Sequence, residues 1–471
     1  MKRIFTVILL LLPFGVWANS EYQQWLQQTQ QEFDQYLSEQ DQAFSQFMKE
    51  SWVKKDMQTT PQRDTEPKPV TIPKADKAPI DDIPKIEPPK AEPPKPIAKP
   101  EPKPEPKPKQ KQRSKQTQFE FLGQPIALSA QPNIADFRFY QVNNNNIAKG
   151  FEHLARTPYK TVVNELEQYQ TTLQLDNWAQ ANLIHRFAQN ITRDSNKQTL
   201  ITWFYLMKTG FDVRLAHDKR NLILLVASDQ AMYEASFFTF SGQRYYTLKP
   251  ASNKHGHGGA VYTYKQQHQE ANKRFTIIPK YSAKVAGKMQ TRTLSYGENR
   301  IDIPYSQEYI ELLDTYPQLD MSLYFDAQPP QAMETALLEP LKLMVADKSP
   351  AKAAQLLLNF MHNAFPYKTD AQQFQRENYL LPSETLYYPY SDCEDRSALF
   401  AYLVKNVLNL DTIGLLYNGH VAVAIAVSGV SGDTISHKGK QYVVADPTYI
   451  NASLGMTMPQ YKRATPKIIE Y

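Results

Sequence analysis

The sequence predicts an α+β protein whose C-terminal part combines an amphipathic helix with an antiparallel sheet. After Cys393, apolar residues recur at helical spacing in SDCEDRSALFAYLVKNV, so the cysteine lies at or just inside a helix N-terminus. Large and small apolar residues alternate from Val421 to Val427, which is the pattern of a strand with two different faces. A second strand, in KQYVVADPTY, ends at Asp446 and Pro447. These three elements predict the core of the C-terminal module.

Three residues of catalytic type stand at the ends of those elements. Cys393 begins the helix, His420 begins the first strand and Asp446 closes the second. A helix N-terminus favours a thiolate, although the neighbouring carboxylates oppose it. Adjacent antiparallel strands place Asp446 against one nitrogen of His420 and leave the other nitrogen for Cys393, as in a nucleophile, base and orienting group. Each residue alone is more often structural, but their order and even spacing favour a catalytic triad.

The same part of the chain resembles the bacterial transglutaminase-like superfamily, whose members are papain-related cysteine enzymes. The resemblance covers roughly residues 337–449 and includes NFMHNAFPYKTDAQQFQREN and LPSETLYYPYSDCEDRS. It implies that Cys393 is the nucleophile, His420 the general base and Asp446 the residue that orients the base. It also implies a transglutaminase-like (papain-like) fold. The backbone N–H of Cys393 is one expected oxyanion donor, and a side chain within residues 387–390 is the candidate for a second.

The sequence indicates no cofactor and no metal site. His255 and His257 in KHGHGGA lack further ligands at a suitable spacing, so a loop is the preferred interpretation. Glu394 and Asp395 are explained more simply as carboxylates at a helix start than as calcium ligands.

The N-terminal residues predict export. MKRIFTVILLLLPFGVWANS has a basic start, an apolar core and a small-residue cleavage site, so residues 1–18 read as a signal peptide. No later run is apolar enough to span a membrane, and we expect a periplasmic or secreted protein. Cys393 is the only cysteine, and an unpaired thiol in an oxidising compartment is a candidate reactive group. The formal net charge is +5 with dispersed basic residues, which does not indicate nucleic-acid binding.

Residues 19–58 are predicted to form an amphipathic aromatic helix. Three eleven-residue units follow one another from Glu21 to Val53, with aromatic residues at equivalent positions. An eleven-residue period keeps such a stripe on one helix face. The stripe requires a partner, which is the protein's own body, a second copy through self-association of residues 21–53, or another envelope protein. A Gln-rich polar face disfavours a membrane surface.

Residues 59–117 are predicted to be a linker rich in Pro, Lys and Glu, ending in KPEPKPEPKPK. Alternating prolines favour polyproline II, which acts as a semi-rigid spacer. Such a spacer would separate the helix from a mobile enzyme. A disordered spacer is the alternative.

Residues 118–255 are expected to form a degenerate transglutaminase-like copy of the C-terminal module. Apolar residues at helical spacing also predict helices at 147–154, 162–169 and 178–187. AYLVKNVLNLDTIGLL aligns with FYLMKTGFDVRLA, and GKQYVVADP aligns with GQRYYTLKP. The alignment puts Asn196 at the cysteine position, the histidine position near Asn221, and Lys249 at the aspartate position. The copy would therefore keep the helix and strands and lose all three polar residues. Chance similarity between two α/β segments is the competing explanation.

Two further modules complete the predicted organisation. Residues 256–330 are expected to be a β-rich module, because RFTIIPKY, TRTLSYG, RIDIPYS and MSLYFDA carry alternating or β-branched runs. Residues 331–471 are expected to be the catalytic module, with helices at 333–344 and 351–365 leading into it.

The preferred function is an exported cysteine enzyme that hydrolyses peptide or amide bonds in a protein or peptide substrate. The same triad also serves a protein-crosslinking acyltransferase, because an amine can replace water as the acyl acceptor. Hydrolysis is preferred because the bacterial members that the chain resembles include many proteases. From another class, the alternative is a non-catalytic cell-envelope scaffold or binding protein built from transglutaminase-like modules.

Overall fold

The computed structural model describes residues 17–50, 52–59, 74–76, 116–130, 132–248, 259–269, 271–277 and 283–471. The predicted signal peptide lies almost wholly outside the described residues, as do most of the linker, His255, His257 and Lys249. Within the described residues, no helix combines the length and the apolar character needed to cross a bilayer.

The chain has a mixed α+β structure. Its N-terminal half contains, in order, α1 (Trp17–Met48), β1 (Val53–Thr59), β2 (Thr117–Phe121), β3 (Gln124–Leu128), α2 (Asn144–Ala155), α3 (Tyr159–Thr172), α4 (Asn177–Ile191), α5 (Ser195–Lys208), β4 (Val213–His217), β5 (Leu222–Ala227), β6 (Ser236–Phe240), β7 (Gln243–Thr247) and β8 (Gly259–Thr263). The C-terminal half contains β9 (Gln290–Tyr296), β10 (Asn299–Tyr305), α6 (Gln307–Leu313), α7 (Met321–Phe325), α8 (Gln331–Val345), α9 (Pro350–Ala364), α10 (Asp370–Gln373), α11 (Pro382–Tyr387), α12 (Cys393–Leu408), β11 (Thr412–Tyr417), β12 (His420–Ile425), β13 (Thr434–His437), β14 (Lys440–Ala445) and β15 (Lys467–Ile469). The helices predicted from apolar periodicity at 147–154, 162–169, 178–187, 333–344 and 351–365 are confirmed.

The N-terminal module is a closed barrel of six strands in the order β1-β6-β7-β5-β4-β8, with α5 packed against it. Strand β5 is buried on both faces. One face of β5 joins the core shared with α5, through Leu222, Leu224 and Val226. The other face joins a separate apolar cluster, through Ile223, Leu225 and Ala227. The barrel is therefore filled with side chains on the face away from the helix.

The C-terminal module is a sheet of five strands in the order β13-β14-β12-β11-β15, with α12 packed on one face. Val421 and Val423 of β12 join the core shared with α12. Ala422 and Ala424 join a separate cluster on the other face. The predicted strand with one large and one small apolar face is thus confirmed.

The two modules have the same topology. In each module, one helix is followed by five strands. If these strands are numbered along the chain from that helix, their order across the sheet is third, fourth, second, first, fifth. Both pairs of aligned sequence segments fall on equivalent elements. Ala445 pairs with Val423 in one sheet, and Leu248 donates its N–H to Leu224 in the other, so the strand registers also agree. The additional strand β1 pairs with β6 and β8 and closes only the N-terminal sheet.

The predicted boundaries of two segments differ from the structure. The aromatic helix was expected to reach residue 58, but it ends at Met48 and residues 53–59 form a barrel strand. The β-rich module expected over 256–330 is not one unit, because β8 completes the barrel and β9 and β10 form a separate hairpin. Met321–Phe325 is a helix rather than a strand, since a short apolar run fits either element.

The end of α1 is anchored on the N-terminal module. Asp41 is buried there, with Lys208 Nζ at 2.6 Å and His268 Nε2 at 3.1 Å from its Oδ1. Burial by itself would raise the pKa of Asp41, but His268 and Lys208 outweigh it, so the pKa is lowered. The helix therefore folds back on the protein's own body at this end, while Trp25 nearer its start is 58% exposed.

The linker begins and ends on the folded body. Strand β1 before it belongs to the barrel, and β2 after it packs against α4. The helix is thus not carried away from the rest of the protein, and the hypothesis of a spacer between a separate helix and a mobile enzyme is wrong.

Candidate active site

The three predicted catalytic residues lie at one edge of the C-terminal module. Cys393 is the first residue of α12, His420 is the first residue of β12, and Asp446 directly follows β14. Their exposed fractions are 3%, 2% and 2%. The helix is held against β12 near the site, because Ser397 Oγ donates a hydrogen bond of 3.0 Å to the carbonyl of Val421.

His420 and Asp446 form the predicted pair. His420 Nε2 lies 2.8 Å from Asp446 Oδ2. The other carboxylate oxygen accepts backbone N–H groups from Thr448 at 2.9 Å and Tyr449 at 3.1 Å. Burial opposes ionisation of Asp446, but His420 and these two donors outweigh it and lower its pKa. Asp446 is therefore a fixed carboxylate that orients the imidazole and leaves Nδ1 for a second partner.

The thiol of Cys393 is bonded differently from the prediction. Its Sγ donates a hydrogen bond of 3.1 Å to Glu394 Oε2 rather than bonding to His420. Burial raises the pKa of Cys393, and the charges of Glu394 and Asp392 raise it further, while the backbone N–H of Val421 opposes them. The sulfur is thus a neutral thiol, and it lies beside Val421, the residue that follows His420. Burial, together with the adjacent acidic side chains, therefore outweighs the helix dipole.

Known proteins give no assignment for these residues. No protein-family model matches the chain, and no match is found among curated proteins or solved structures. The chemistry of the site rests on its own contacts.

A cluster of buried carboxylates lies at the start of α12. One oxygen from each of Asp370, Asp392 and Glu394 lies within 4.8 Å of the others. Asp392 Oδ1 and Glu394 Oε1 are buried without a hydrogen-bond partner in the described structure. Burial raises the pKa of Asp392 and of Glu394, and the charge of Asp370 adds to both shifts. The raised pKa values favour the protonated carboxyl groups, and the converging oxygens are also of the kind that a hard cation such as Ca²⁺ or Mg²⁺ prefers.

This cluster corrects the interpretation of one of the two helix-start acids. Glu394 does more than balance the helix dipole, because it faces the other carboxylates and the thiol. Asp395 keeps the structural role that the sequence predicts, since it accepts backbone N–H groups of Leu380 at 2.8 Å and Asp392 at 3.2 Å. Asp370 was missed, because it lies on a separate segment with no ligand-like spacing.

Two further side chains contact the predicted site residues His420 and Asp446 and were not predicted. The ring of Tyr461 stacks on His420 with centroids 5.2 Å apart and an angle of 15° between the planes. His362 Nε2 lies 3.0 Å from the backbone carbonyl of Asp446, and burial lowers the pKa of His362 to about 4. His362 is therefore neutral at pH 7 and fixes the backbone of the orienting residue.

A buried arginine also supports the start of α12. Arg396 is fully buried and donates to the carbonyls of Met361 and Phe365 at the end of α9. Burial lowers the pKa of Arg396 to about 10, so the guanidinium remains charged at neutral pH. It provides positive charge beneath the acidic residues, although the sequence segment DCEDRS gave no sign of this role.

Two of the three tyrosine hydroxyls within residues 387–390, the stretch predicted to supply a second oxyanion donor, are bonded elsewhere. The hydroxyl of Tyr387 donates to Gln307 at 3.4 Å, and that of Tyr388 donates to Asp314 at 2.9 Å. Tyr390 is 38% exposed. Both hydroxyls are held against the segment that contains α6, because α11 directs this stretch towards it. The backbone N–H of Cys393, at the first position of a helix, remains the first predicted donor.

The equivalent edge of the N-terminal module carries amides. Asn196 Oδ1 accepts the backbone N–H of Leu222 at 2.7 Å, and its Nδ2 donates to the carbonyl of Arg220 at 3.1 Å. Leu222 corresponds to Val421 by the pairing of β5 with β7 and of β12 with β14, and the N–H of Val421 faces Cys393 as that of Leu222 faces Asn196. Asn196 therefore occupies the place of Cys393. Asn221, at the histidine position, donates from Nδ2 to Asp218 at 3.2 Å. These residues offer neither a thiol nor an imidazole.

Proposed function

We propose that the chain is a cysteine enzyme of transglutaminase-like type that attacks peptide or amide bonds through Cys393, His420 and Asp446. The observation that carries the proposal is the 2.8 Å contact between His420 and Asp446, next to the helix start that holds the only cysteine. A buried, correctly ordered imidazole–carboxylate pair beside a lone thiol is the arrangement needed for nucleophilic catalysis.

The proposed reaction has two steps. The sulfur of Cys393 bonds to the substrate carbonyl carbon, and the thiol proton passes to Nδ1 of His420. His420 then gives that proton to the leaving amine, and a thioester remains on the enzyme. Water attacks the thioester carbonyl and gives a proton to His420, the C–S bond breaks to release the acid, and His420 returns the proton to the sulfur. Asp446 stabilises the imidazolium in both steps, and the Cys393 N–H stabilises the oxyanion.

The thiol has to exchange its hydrogen-bond partner before this reaction begins. It is bonded to Glu394, so the active arrangement requires Sγ to turn from that carboxylate towards His420. Rotation about χ1 of a cysteine moves the sulfur between staggered positions without moving the helix.

We place the enzyme outside the cytoplasm, on the basis of the signal-like residues 1–18 and the single cysteine. Hydrolysis is the preferred outcome. Transfer of the acyl group to an amine, which would crosslink proteins, uses the same thioester and differs only in the acceptor.

One observation favours a non-catalytic binding protein as the second candidate. The thiol is buried beside two carboxylates that raise its pKa, which is the opposite of an activated nucleophile. A binding protein would, however, have no use for the buried His420–Asp446 pair.

Alkylation of the single thiol separates these functions. The parent chain and His420→Ala are treated with iodoacetamide at pH 7, and the mass shift is followed with time. His437→Ala is the matched control, because His437 lies on β13 and pairs with Glu470 instead. We expect His420→Ala to slow alkylation at least about tenfold and the control to leave it unchanged. Equal rates in all three chains would overturn the enzyme and leave the binding protein.

A second measurement separates the two acceptors. The parent and Cys393→Ala are incubated with a peptide library and a labelled primary amine, and the products are analysed by mass spectrometry. New peptide termini that require Cys393 support hydrolysis. Incorporation of the amine supports acyl transfer and overturns the preference for hydrolysis.

A further inference from the structure

A short stretch of the Pro-rich segment lies against the C-terminal module. Lys74 forms a parallel bridge with Ile450, and Ala75 donates its N–H to the carbonyl of Ile450 at 3.0 Å. Ala75 is only 6% exposed and packs into an apolar cluster on residues 449–458. Lys74 and Asp76 are exposed, so the backbone and one methyl group make the contact. This stretch is bound as an extended strand of minimal size.

The surface that receives it, residues 449–458, is called the docking platform below. Its apolar cluster is formed by Tyr449, Ala452 and Met458. Asp446 accepts a backbone N–H at the start of the platform at 3.1 Å. Gln355 accepts an N–H from its middle at 2.9 Å, and Asp433 accepts one near its end at 3.0 Å. The platform is therefore fastened independently of residues 74–76, and a preformed surface binds an extended chain at low entropic cost.

The docking platform is directly beside the candidate triad. It begins three residues after Asp446, and Tyr461 just beyond it packs on its apolar cluster. The same ring stacks on His420 with centroids 5.2 Å apart. A chain bound on the platform thus lies one aromatic ring away from the proposed general base.

We propose that the docking platform is a binding site for an extended peptide that presents an alanine to the apolar cluster, and that residues 74–76 occupy it in cis. The contact is addition of a short extended chain to the backbone at Ile450, with an apolar cluster that accepts the alanine side chain. Because the segment is tethered at β1 and β2, its effective concentration is high and it competes with any free chain. The occupied platform restricts the approach of a peptide substrate to Cys393. This last consequence rests on the proposed function, whereas the docking does not.

The sequence provides a matched control for the docking. Pro73-Lys74-Ala75-Asp76 is repeated in the same segment as Pro-Lys-Ala-Glu at residues 89–92. The two tetrapeptides have the same composition apart from one methylene. Any preference for the first therefore reflects its place in the fold.

Disulfide trapping tests the docking in the full chain. Bridged strands lie about 4.8 Å apart, which falls within the Cα separation that a disulfide spans. In a Cys393→Ser background, Lys74→Cys combined with Ile450→Cys is compared with Lys90→Cys combined with Ile450→Cys. We expect the first pair to crosslink on mild oxidation at least about tenfold faster than the second. Equal rates, or no crosslink in the first pair, would overturn the docking.

Alkylation with a bulky reagent tests whether residues 74–76 on the docking platform restrict access to Cys393. Ala75→Glu places a charge in the apolar cluster and releases the segment, and Ala91→Glu makes the same change in the repeated tetrapeptide. A maleimide carried on a long polymer is used against Cys393, with iodoacetamide as the small reference. We expect Ala75→Glu to raise the polymer rate about fivefold over Ala91→Glu, and the iodoacetamide rate by less. The same polymer rate in both variants would overturn the restriction.

The two proposals fail in different experiments. Disulfide trapping is performed without the thiol, so its outcome is independent of cysteine chemistry. If His420→Ala leaves alkylation unchanged while residues 74 and 450 crosslink, the docking stands and the proposed enzyme does not. If the crosslink is absent while His420→Ala slows alkylation, the enzyme stands and the docking does not.

Discussion

The N-terminal and C-terminal modules share a helix and a sheet order, yet they differ at the edge where the helix begins. In the N-terminal module, Asp194 is exposed and caps the helix by accepting N–H groups of Asn196 and Lys197. In the C-terminal module, Asp392 is buried among other carboxylates and its pKa is raised. Apolar packing of the sheets thus sets the common architecture, while the residues at the strand and helix ends set the chemistry.

The two edges also differ in how completely their buried polar atoms are hydrogen-bonded. The oxygen and the nitrogen of the Asn196 side-chain amide are both hydrogen-bonded within the N-terminal module. At the equivalent edge, Asp392 and Glu394 each leave one buried oxygen without a partner in the described structure. Buried polar groups without partners cost stability, and such costs are typical of functional sites.

The largest expected effect is on the pair that only the C-terminal module has. Asp446→Asn presents an amide where His420 needs a carboxylate, so the imidazole takes the wrong tautomer and its cation loses its counter-charge. In a known triad this change lowers kcat about 10⁴-fold, and we expect at least a tenfold slower alkylation of Cys393. Asn221→Ala, at the histidine position of the other module, is the control. An unchanged rate of Cys393 alkylation in Asp446→Asn would contradict the proposal that the two modules differ in function.

The next effect concerns the support beneath α12. Arg396→Met leaves the carbonyls of Met361 and Phe365 buried without their donor, which we expect to cost about 3 kcal/mol in the free energy of unfolding. Thr199 is the equivalent residue of α5 and bonds only to Ser195 in its own helix. Thr199→Ala should therefore change the free energy of unfolding by less than about 0.5 kcal/mol. Urea unfolding of both variants measures the difference, and equal losses would contradict it.

A smaller effect is expected from a divalent cation. Since Asp370, Asp392 and Glu394 provide converging oxygens, Ca²⁺ or Mg²⁺ at 100 times its Kd should stabilise the folded chain by about 2.7 kcal/mol. Thermal unfolding with the cation and with excess chelator measures this, and Asp370→Asn should abolish the shift. An equal Tm in cation and chelator would mean that the carboxylates hold protons instead.

The smallest effect is expected at the amide of the N-terminal module. Asn196→Ala removes the hydrogen bonds to Leu222 and Arg220, and we expect a loss of about 1 kcal/mol in the free energy of unfolding. Alkylation of Cys393 should not change. A slower alkylation would show that the N-terminal module takes part in the chemistry.

The sequence predicted the elements that have a strong period. The helices α2, α3, α4, α8 and α9 were predicted from apolar spacing. The places of Cys393, His420 and Asp446 at the ends of α12, β12 and β14 were also predicted. Apolar residues recur at helical spacing after Cys393, and apolar strand patterns adjoin His420 and Asp446. Local pattern is sufficient where an element is long and one face is buried.

The remaining features depend on contacts between distant segments. Asp370 meets Asp392 only after folding, and Tyr461 reaches His420 from beyond β14. The hydrogen bond between Cys393 and Glu394 depends on side-chain direction, which spacing does not determine. Strand β1 was absorbed into the predicted helix because it directly follows a helical repeat and its two apolar residues, Val53 and Met57, are four residues apart, a spacing that also fits a helix.

Strand β1, which closes the barrel, determines what would happen if the Pro-rich segment were cut once by a protease. Residues 53–59 are hydrogen-bonded to β6 and β8, and the helix before them is clamped by an ionic contact at Asp41. A protease that cut the Pro-rich segment would therefore release no fragment. The severed N-terminal piece would stay in place as a non-covalent subunit of the same molecule.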